Sequence, residues 1–174
     1  MYEVELKVRA EHDRVRPRLE SIGAEPEGTV SQVDTYYDHP VREFAETDEA
    51  LRIRRETDES GERAKVTYKV DDASKTREEL ETGVDDGDTM AGVVESVGFE
   101  PAATVEKRRE RFSHGEYTVT LDAVEGLGEF VEVETEAEEI ESAREGAVEV
   151  LERLGLDPAD GIRTSYLGLL LDAA

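Results

Sequence analysis

Apolar and polar residues alternate strictly at the start of the chain. In Tyr2–Arg9, Tyr2, Val4, Leu6 and Val8 take one face of a strand, and Glu3, Glu5, Lys7 and Arg9 take the other. Further strands are predicted over 33–38, 50–56, 63–70, 76–83, 104–113, 116–123 and 129–136. Residues 50–56 and 63–70 read as a hairpin around Asp58-Glu59-Ser60-Gly61. A second hairpin joins 104–113 to 116–123 at Ser113-His114-Gly115-Glu116. Elsewhere the period is helical. Asp13 is placed to cap a helix over 14–22 that Gly23 ends, with Pro17 near its first turn, where a missing N–H costs little. Met90, Val93, Val94 and Val97 mark a helix over 86–97. Ile140, Ala143, Ala147, Val148, Val150, Leu151 and Leu154 form the apolar side of a longer helix over 139–154, ended by Gly155. Residues 39–48 read as a charged loop and 162–171 as a last short helix.

Eight strands with mostly short links imply antiparallel neighbours, and eight such strands can close on themselves. The expected fold is α+β, a closed eight-stranded antiparallel β-barrel with helices packed on the outside, in a single domain over residues 1–174.

Composition changes the picture in two ways. The chain carries 45 acidic and 21 basic residues, a formal net charge of −24. Such a surface repels nucleic acid and anionic lipid, so neither is expected as a partner. Acidic residues spread along the whole chain read as a surface adapted to high salt, where screening makes self-repulsion tolerable. Against that background only five lysines remain, Lys7, Lys65, Lys69, Lys75 and Lys107, and all but Lys75 fall in predicted strands. The absence of cysteine excludes a disulfide framework and thiolate metal sites. No stretch approaches the length of a membrane span and no signal peptide is apparent, so a cytoplasmic protein is expected.

The basic residues left in this acidic chain collect on strand faces. Those faces hold Glu3, Glu5, Lys7 and Arg9; Arg52 and Arg54; Lys65 and Lys69; Arg77, Glu79 and Glu81; Lys107, Arg109 and Arg111; and Glu132, Glu134 and Glu136. Most of the opposite faces are apolar, and the apolar sides of the helices need such faces to cover. The charged faces would then point inward. Unpaired buried charge is too costly for a dry core, so a hydrated tunnel holding a charged ligand is expected. Converging cations suit phosphate, and closely spaced carboxylates suit Mg²⁺ or Mn²⁺. Metal-bridged triphosphate satisfies both sets. His12, His39 and His114 lie in loops or turns, and no Ser-His-Asp or Cys-His arrangement appears. Gly126-Leu127-Gly128 reads as a bend between strands, since no helix follows it.

These residues resemble the CYTH family, the triphosphate tunnel metalloenzymes that include class IV adenylate cyclases and thiamine triphosphatases. Glu3-Val4-Glu5-Leu6-Lys7 matches the family's ExExK signature. Gln32 to Asp38, Ala50-Leu51-Arg52-Ile53-Arg54, Thr67-Tyr68-Lys69, Ser74-Lys75-Thr76-Arg77, Val105 to Arg109, Leu121 to Glu134 and Ser165-Tyr166 follow in family-like order. The resemblance implies Glu3, Glu5, Glu132 and Glu134, with Asp122 as a further candidate, as ligands of Mg²⁺ or Mn²⁺. It implies Lys7, Arg52, Arg54, Lys69, Lys107 and Arg109 as triphosphate-binding residues, with Lys75 and Arg77 as additions, and Glu3, Glu5 and Lys7 at the centre of catalysis. It also implies a homodimer. Segments 47–54, 74–77 and 124–130 resemble the cyclase branch, which converts ATP to cyclic AMP and pyrophosphate. Hydrolysis of inorganic triphosphate, thiamine triphosphate or nucleoside triphosphates uses the same clamp and stays open, as does a non-catalytic polyphosphate or organic-anion binding module. Two departures stand out: Val70-Asp71 where the family often has Gly-Pro, and no tryptophan to stack a base.

Overall fold

A computed structural model describes residues 2–71 and 77–173, with the backbone alone at Asp71, Arg77 and Glu78. The strands are β1 (Tyr2–Arg9), β2 (Glu25–Asp38), β3 (Glu49–Asp58), β4 (Gly61–Asp71), β5 (Arg77–Val84), β6 (Glu100–His114), β7 (Tyr117–Val124) and β8 (Gly128–Ala137). The helices are α1 (His12–Ser21), α2 (Phe44–Thr47), α3 (Gly87–Ser96), α4 (Ile140–Arg153) and α5 (Tyr166–Ala173), with a 3-10 turn at Pro158–Asp160. None of the helices among the described residues is long and apolar enough to cross a membrane.

The chain divides into two compact units, one of residues 1–29 with 107–174 and the other of residues 30–106. In the first, β1 pairs with β8, β8 with β7 and β7 with β6, all antiparallel. Val8, Val119, Leu121, Val131 and Val133 fill one face of this sheet and pack against Val15 and Leu19 of α1 and Ala147, Val150, Leu151 and Leu154 of α4. Burying a valine or leucine side chain stabilises by about 1.5–3 kcal/mol. Gly146 lets α4 come close to the sheet, because a Cβ there would collide with the Tyr117 ring, whose hydroxyl donates to the Ala143 carbonyl. In the second unit β2, β3, β4 and β5 form an antiparallel sheet in that order. Tyr37 and Ile53 pack there against Val94, with Leu51, Val66 and Met90 around them.

The eight antiparallel strands, the α+β composition and the placing of helices on the apolar sheet faces agree with the sequence expectation. The ladders given above make a curled four-stranded antiparallel sheet in each unit.

Local differences have identifiable causes. α1 begins at His12, and Asp13 is not its cap. The carboxylate of Glu129 on β8 accepts the His12 amide at 3.1 Å, and the buried imidazole meets the Phe130 carbonyl at 2.9 Å through Nε2. Asp13 pairs instead with Arg16. α1 does end before Gly23, which takes a φ of +77°. β2 starts eight residues earlier than the apolar alternation showed, since its first residues are exposed and polar. α2 lies inside the expected loop. The bend at Gly126-Leu127-Gly128 is present, with the Leu127 amide bonded to the Val124 carbonyl.

Candidate metal and phosphate site

Residues directly opposite in an antiparallel sheet share a face. In the first unit the register sets Glu5 opposite Glu134, Lys7 opposite Glu132 and Arg9 opposite Phe130. It then sets Glu132 opposite Thr120, and Asp122 opposite both Phe130 and Arg109. A single sheet face therefore carries carboxylates at one end, an alternating ionic network in the middle, and Phe130 with Arg9 at the other end.

At the carboxylate end, one oxygen each from Glu3, Glu5 and Glu134 lie within 4.8 Å of one another. Burial pushes Glu134 up to about 7, and the charges of Glu132, Glu5 and Glu3 push the same way against the pull of Arg109. Three carboxylates at this spacing repel unless a proton or a cation sits among them. An all-oxygen donor set fits a hard divalent ion such as Mg²⁺ or Mn²⁺, so these residues fit the implied metal.

The middle of the face is a buried network. The Arg109 fork donates through Nε and Nη2 to the two oxygens of Asp122, both at 2.7 Å, and Nη2 also reaches Glu132 at 3.0 Å. Burial raises Asp122, but the charge and hydrogen bonds of Arg109 outweigh it, and the carboxyl lies below its ordinary range. Glu132 is raised, first by burial and then by Glu5. Lys7 lies 3.7 Å from Glu132 and 3.8 Å from Glu5. It is buried, as are Lys107 and Arg109.

The second unit repeats the logic with more cations. Arg54 donates through Nε and Nη2 to both oxygens of the fully buried Asp34, at 2.7 and 2.8 Å. Arg52, also buried, is held charged by Tyr36 and Asp34, which outweigh the lowering effect of burial. Lys69 pairs with Glu79, and Lys65 with Glu81 at 3.7 Å. Glu81 also accepts from the Thr67 hydroxyl at 2.7 Å.

Most of the expected residues can be located against this geometry. Glu3, Glu5, Lys7, Glu132, Glu134, Asp122, Lys107 and Arg109 belong to the first unit; Arg52, Arg54 and Lys69 belong to the second. The tight carboxylate group contains Glu3, Glu5 and Glu134, whereas Glu132 and Asp122 are engaged by Arg109. Lys75 lies outside the described residues, and so does the side chain of Arg77. Sequence reasoning did not single out Asp34. It stands two positions before Tyr36 and pairs with Arg54 across the β2–β3 ladder, so the strand register was the available clue. Tyr166, whose hydroxyl donates to Asp122 at 2.7 Å, stood in the family-like Ser165-Tyr166 segment but was given no role at the site. Two of the histidines serve structure: His39 Nδ1 accepts from the amides of Val41 and Arg42, and His12 joins α1 to β8.

Comparison with known proteins gives a consistent result. The CYTH domain profile matches residues 1–166. The Methanocaldococcus jannaschii protein named "Putative adenylate cyclase MJ0240" is 37% identical over 176 residues, 97% of this chain and 98% of that protein. The structure of PH1819 from Pyrococcus horikoshii is 37% identical, with a TM-score of 0.90 over 99% of this chain and 100% of that one. The Hippeastrum protein HpAC1, described as having a dominant triphosphatase activity, is 18% identical with a TM-score of 0.72 over 99% of this chain and 96% of that one, which makes it a likeness of fold. An ExExK strand set opposite paired carboxylates, buried cations along the same face, and a profile match over nearly the whole chain agree: this protein belongs to the CYTH family.

Proposed function

We propose that this protein is a metal-dependent enzyme acting on a triphosphate, and that its reaction is the cyclisation of ATP to cyclic AMP and pyrophosphate. The observation that carries the reading is the convergence of Glu3, Glu5 and Glu134 beside the buried Lys7–Glu132–Arg109–Asp122 network on one sheet face. The eight strands would close into the family's tunnel. Lys7, Lys107 and Arg109, together with Arg52, Arg54, Lys69, Lys75 and Arg77, would hold the triphosphate.

Glu3, Glu5 and Glu134, with Glu132 beside them, would hold Mg²⁺ or Mn²⁺, which when bound supplies Lewis acidity at the phosphoryl oxygens. The arginine forks suit bidentate contact with phosphate, and the lysines add compact charge where negative charge grows in the transition state. Lys7 stands between the carboxylate group and Arg109, so it is placed to bind a phosphate next to the metal. In the cyclase reaction the ribose 3′-hydroxyl attacks the α-phosphorus, the bond to the β-phosphate breaks, and pyrophosphate leaves. The sequence likeness to the M. jannaschii protein supports this branch. Hydrolysis at the terminal phosphorus by water would use the same residues.

Incubation with ATP, and separately with tripolyphosphate, plus Mg²⁺ or Mn²⁺ in high salt, followed by product identification, tests the proposal. Cyclic AMP with pyrophosphate is expected. Orthophosphate from either substrate would replace cyclisation by hydrolysis, and no turnover of either would leave a binding module. Glu5→Gln is expected to abolish turnover; full activity in that variant would remove the metal assignment.

A further inference from the structure

The C-terminal helix reaches into the ionic network through one side chain. Tyr166, the first residue of α5, is buried, and its ring meets Phe130 edge to face with centroids 5.0 Å apart. The ammonium groups of Lys7 and Lys107 lie 4.2 and 5.6 Å from the ring centroid. The hydroxyl donates to Asp122 Oδ2, the same oxygen that accepts from Arg109 Nη2. The approach is fixed from the other side as well. Lys7 Nζ donates to the Thr164 carbonyl at 3.2 Å, and the Ile162 amide donates to the Lys7 carbonyl at 2.7 Å.

Packing alone does not account for this arrangement. A phenylalanine would fill the space against Phe130 equally well. The hydroxyl is directed at a carboxylate whose other contacts already fix an arginine fork, and the ring offers its negative face to cations rather than only its edge to apolar neighbours. One tyrosine thus touches two lysines expected to bind phosphate and, through Asp122, reaches an arginine expected to do the same.

We infer that Tyr166 is a positioning residue: its ring holds Lys7 and Lys107, and its hydroxyl, through Asp122, holds the Arg109 fork. This rests on the reading of those three cations as triphosphate ligands. The two halves of the role separate by substitution. Tyr166→Phe keeps the ring and removes the hydrogen bond; it is expected to lower kcat by about tenfold, as Arg109 loses a constraint on its partner, with little change in KM. Tyr166→Leu removes both; it is expected to lower kcat/KM by about a hundredfold, with KM raised because two ground-state phosphate ligands are displaced.

Circular dichroism and thermal melts establish that each variant is folded at the assay temperature. If folded Tyr166→Phe and Tyr166→Leu both match the wild type, or lose kcat and KM to the same extent as each other, the inference fails. A measurement independent of turnover separates this failure from that of the proposed function. The ring current of Tyr166 should shift the Lys7 and Lys107 ε-methylene resonances upfield in the wild type and Tyr166→Phe, and release them in Tyr166→Leu. Unshifted lysine resonances in the wild type would overturn the placement whatever the enzyme does.

Discussion

Asp34 and Arg54 show how tightly single residues constrain this fold. The carboxylate is fully buried and both its oxygens are taken by one guanidinium. A buried pair of this kind gains little over an apolar replacement of both partners, but losing one partner strands the other's charge. Asp34→Ala is therefore expected to cost about 3–5 kcal/mol in urea denaturation; a loss below about 1 kcal/mol would show that Arg54 finds another partner. Gln32, two residues earlier on the same face, is the opposite case. Its amide nitrogen and oxygen are both buried with no hydrogen-bond partner among the described residues. An unsatisfied buried amide costs about 1–3 kcal/mol, so Gln32→Met, close in volume, is expected to raise the melting temperature. A lower melting temperature would mean that the amide is satisfied in solution. The sequence revealed that this segment matters through its family-like order, but the alternation of Gln32, Asp34 and Tyr36 became legible as one polar face, buried at Gln32 and Asp34, only once the register set them opposite Glu56, Arg54 and Arg52.

At the scale of elements, the strands were read more fully than their ends. All eight strands were recovered, and period-two alternation is clearest where one sheet face is covered by a helix, as in β1, β7 and β8. It fails where both faces are exposed and polar, as in the first residues of β2, and where a cap comes from a distant strand, as Glu129 does for α1. The carboxylates of β1 and β8 were recognisable as a set, but their division was not: Arg109 takes Glu132 and Asp122, leaving Glu3, Glu5 and Glu134 together. The β1–β8 pair also sets a pH dependence. Glu134 titrates near 7 in the fold and near 4.5 when free of it. Between those values the native state keeps a proton that the unfolded chain has lost, so this group stabilises fully below about 4.5, and its contribution falls as pH rises toward 7. In metal-free protein the urea midpoint of the wild type should therefore decline over that window relative to Glu134→Gln, and added Mg²⁺ should diminish the decline by replacing the proton. Parallel curves for the two proteins would mean that Glu134 does not titrate in this range.

For the molecule as a whole, the net charge of −24 was legible from composition, and its energetic consequence depends on where the acids lie. The buried carboxylates are paired with arginine or lysine, and salt screens such pairs weakly. The excess sits on exposed surfaces. On α4, Glu141, Glu145 and Glu149 repeat every fourth residue on the exposed side, with Glu152 continuing the helix. Like charges at that spacing oppose the helix by about 0.2–0.5 kcal/mol per pair. Raising KCl from about 0.1 M to about 1 M shortens the screening length from about 10 Å to about 3 Å, enough to mute repulsion between neighbouring turns. The melting temperature is therefore expected to rise with KCl. Salts can also raise stability by strengthening apolar burial, as sulfate and phosphate do, so a salt series alone does not identify the cause. The variant Glu145→Gln/Glu149→Gln separates the two effects. If surface repulsion is the origin, the variant is more stable than the wild type at low salt and the two converge as KCl rises. If apolar burial is the origin, both proteins gain in parallel, and the reading of this surface as adapted to high salt falls.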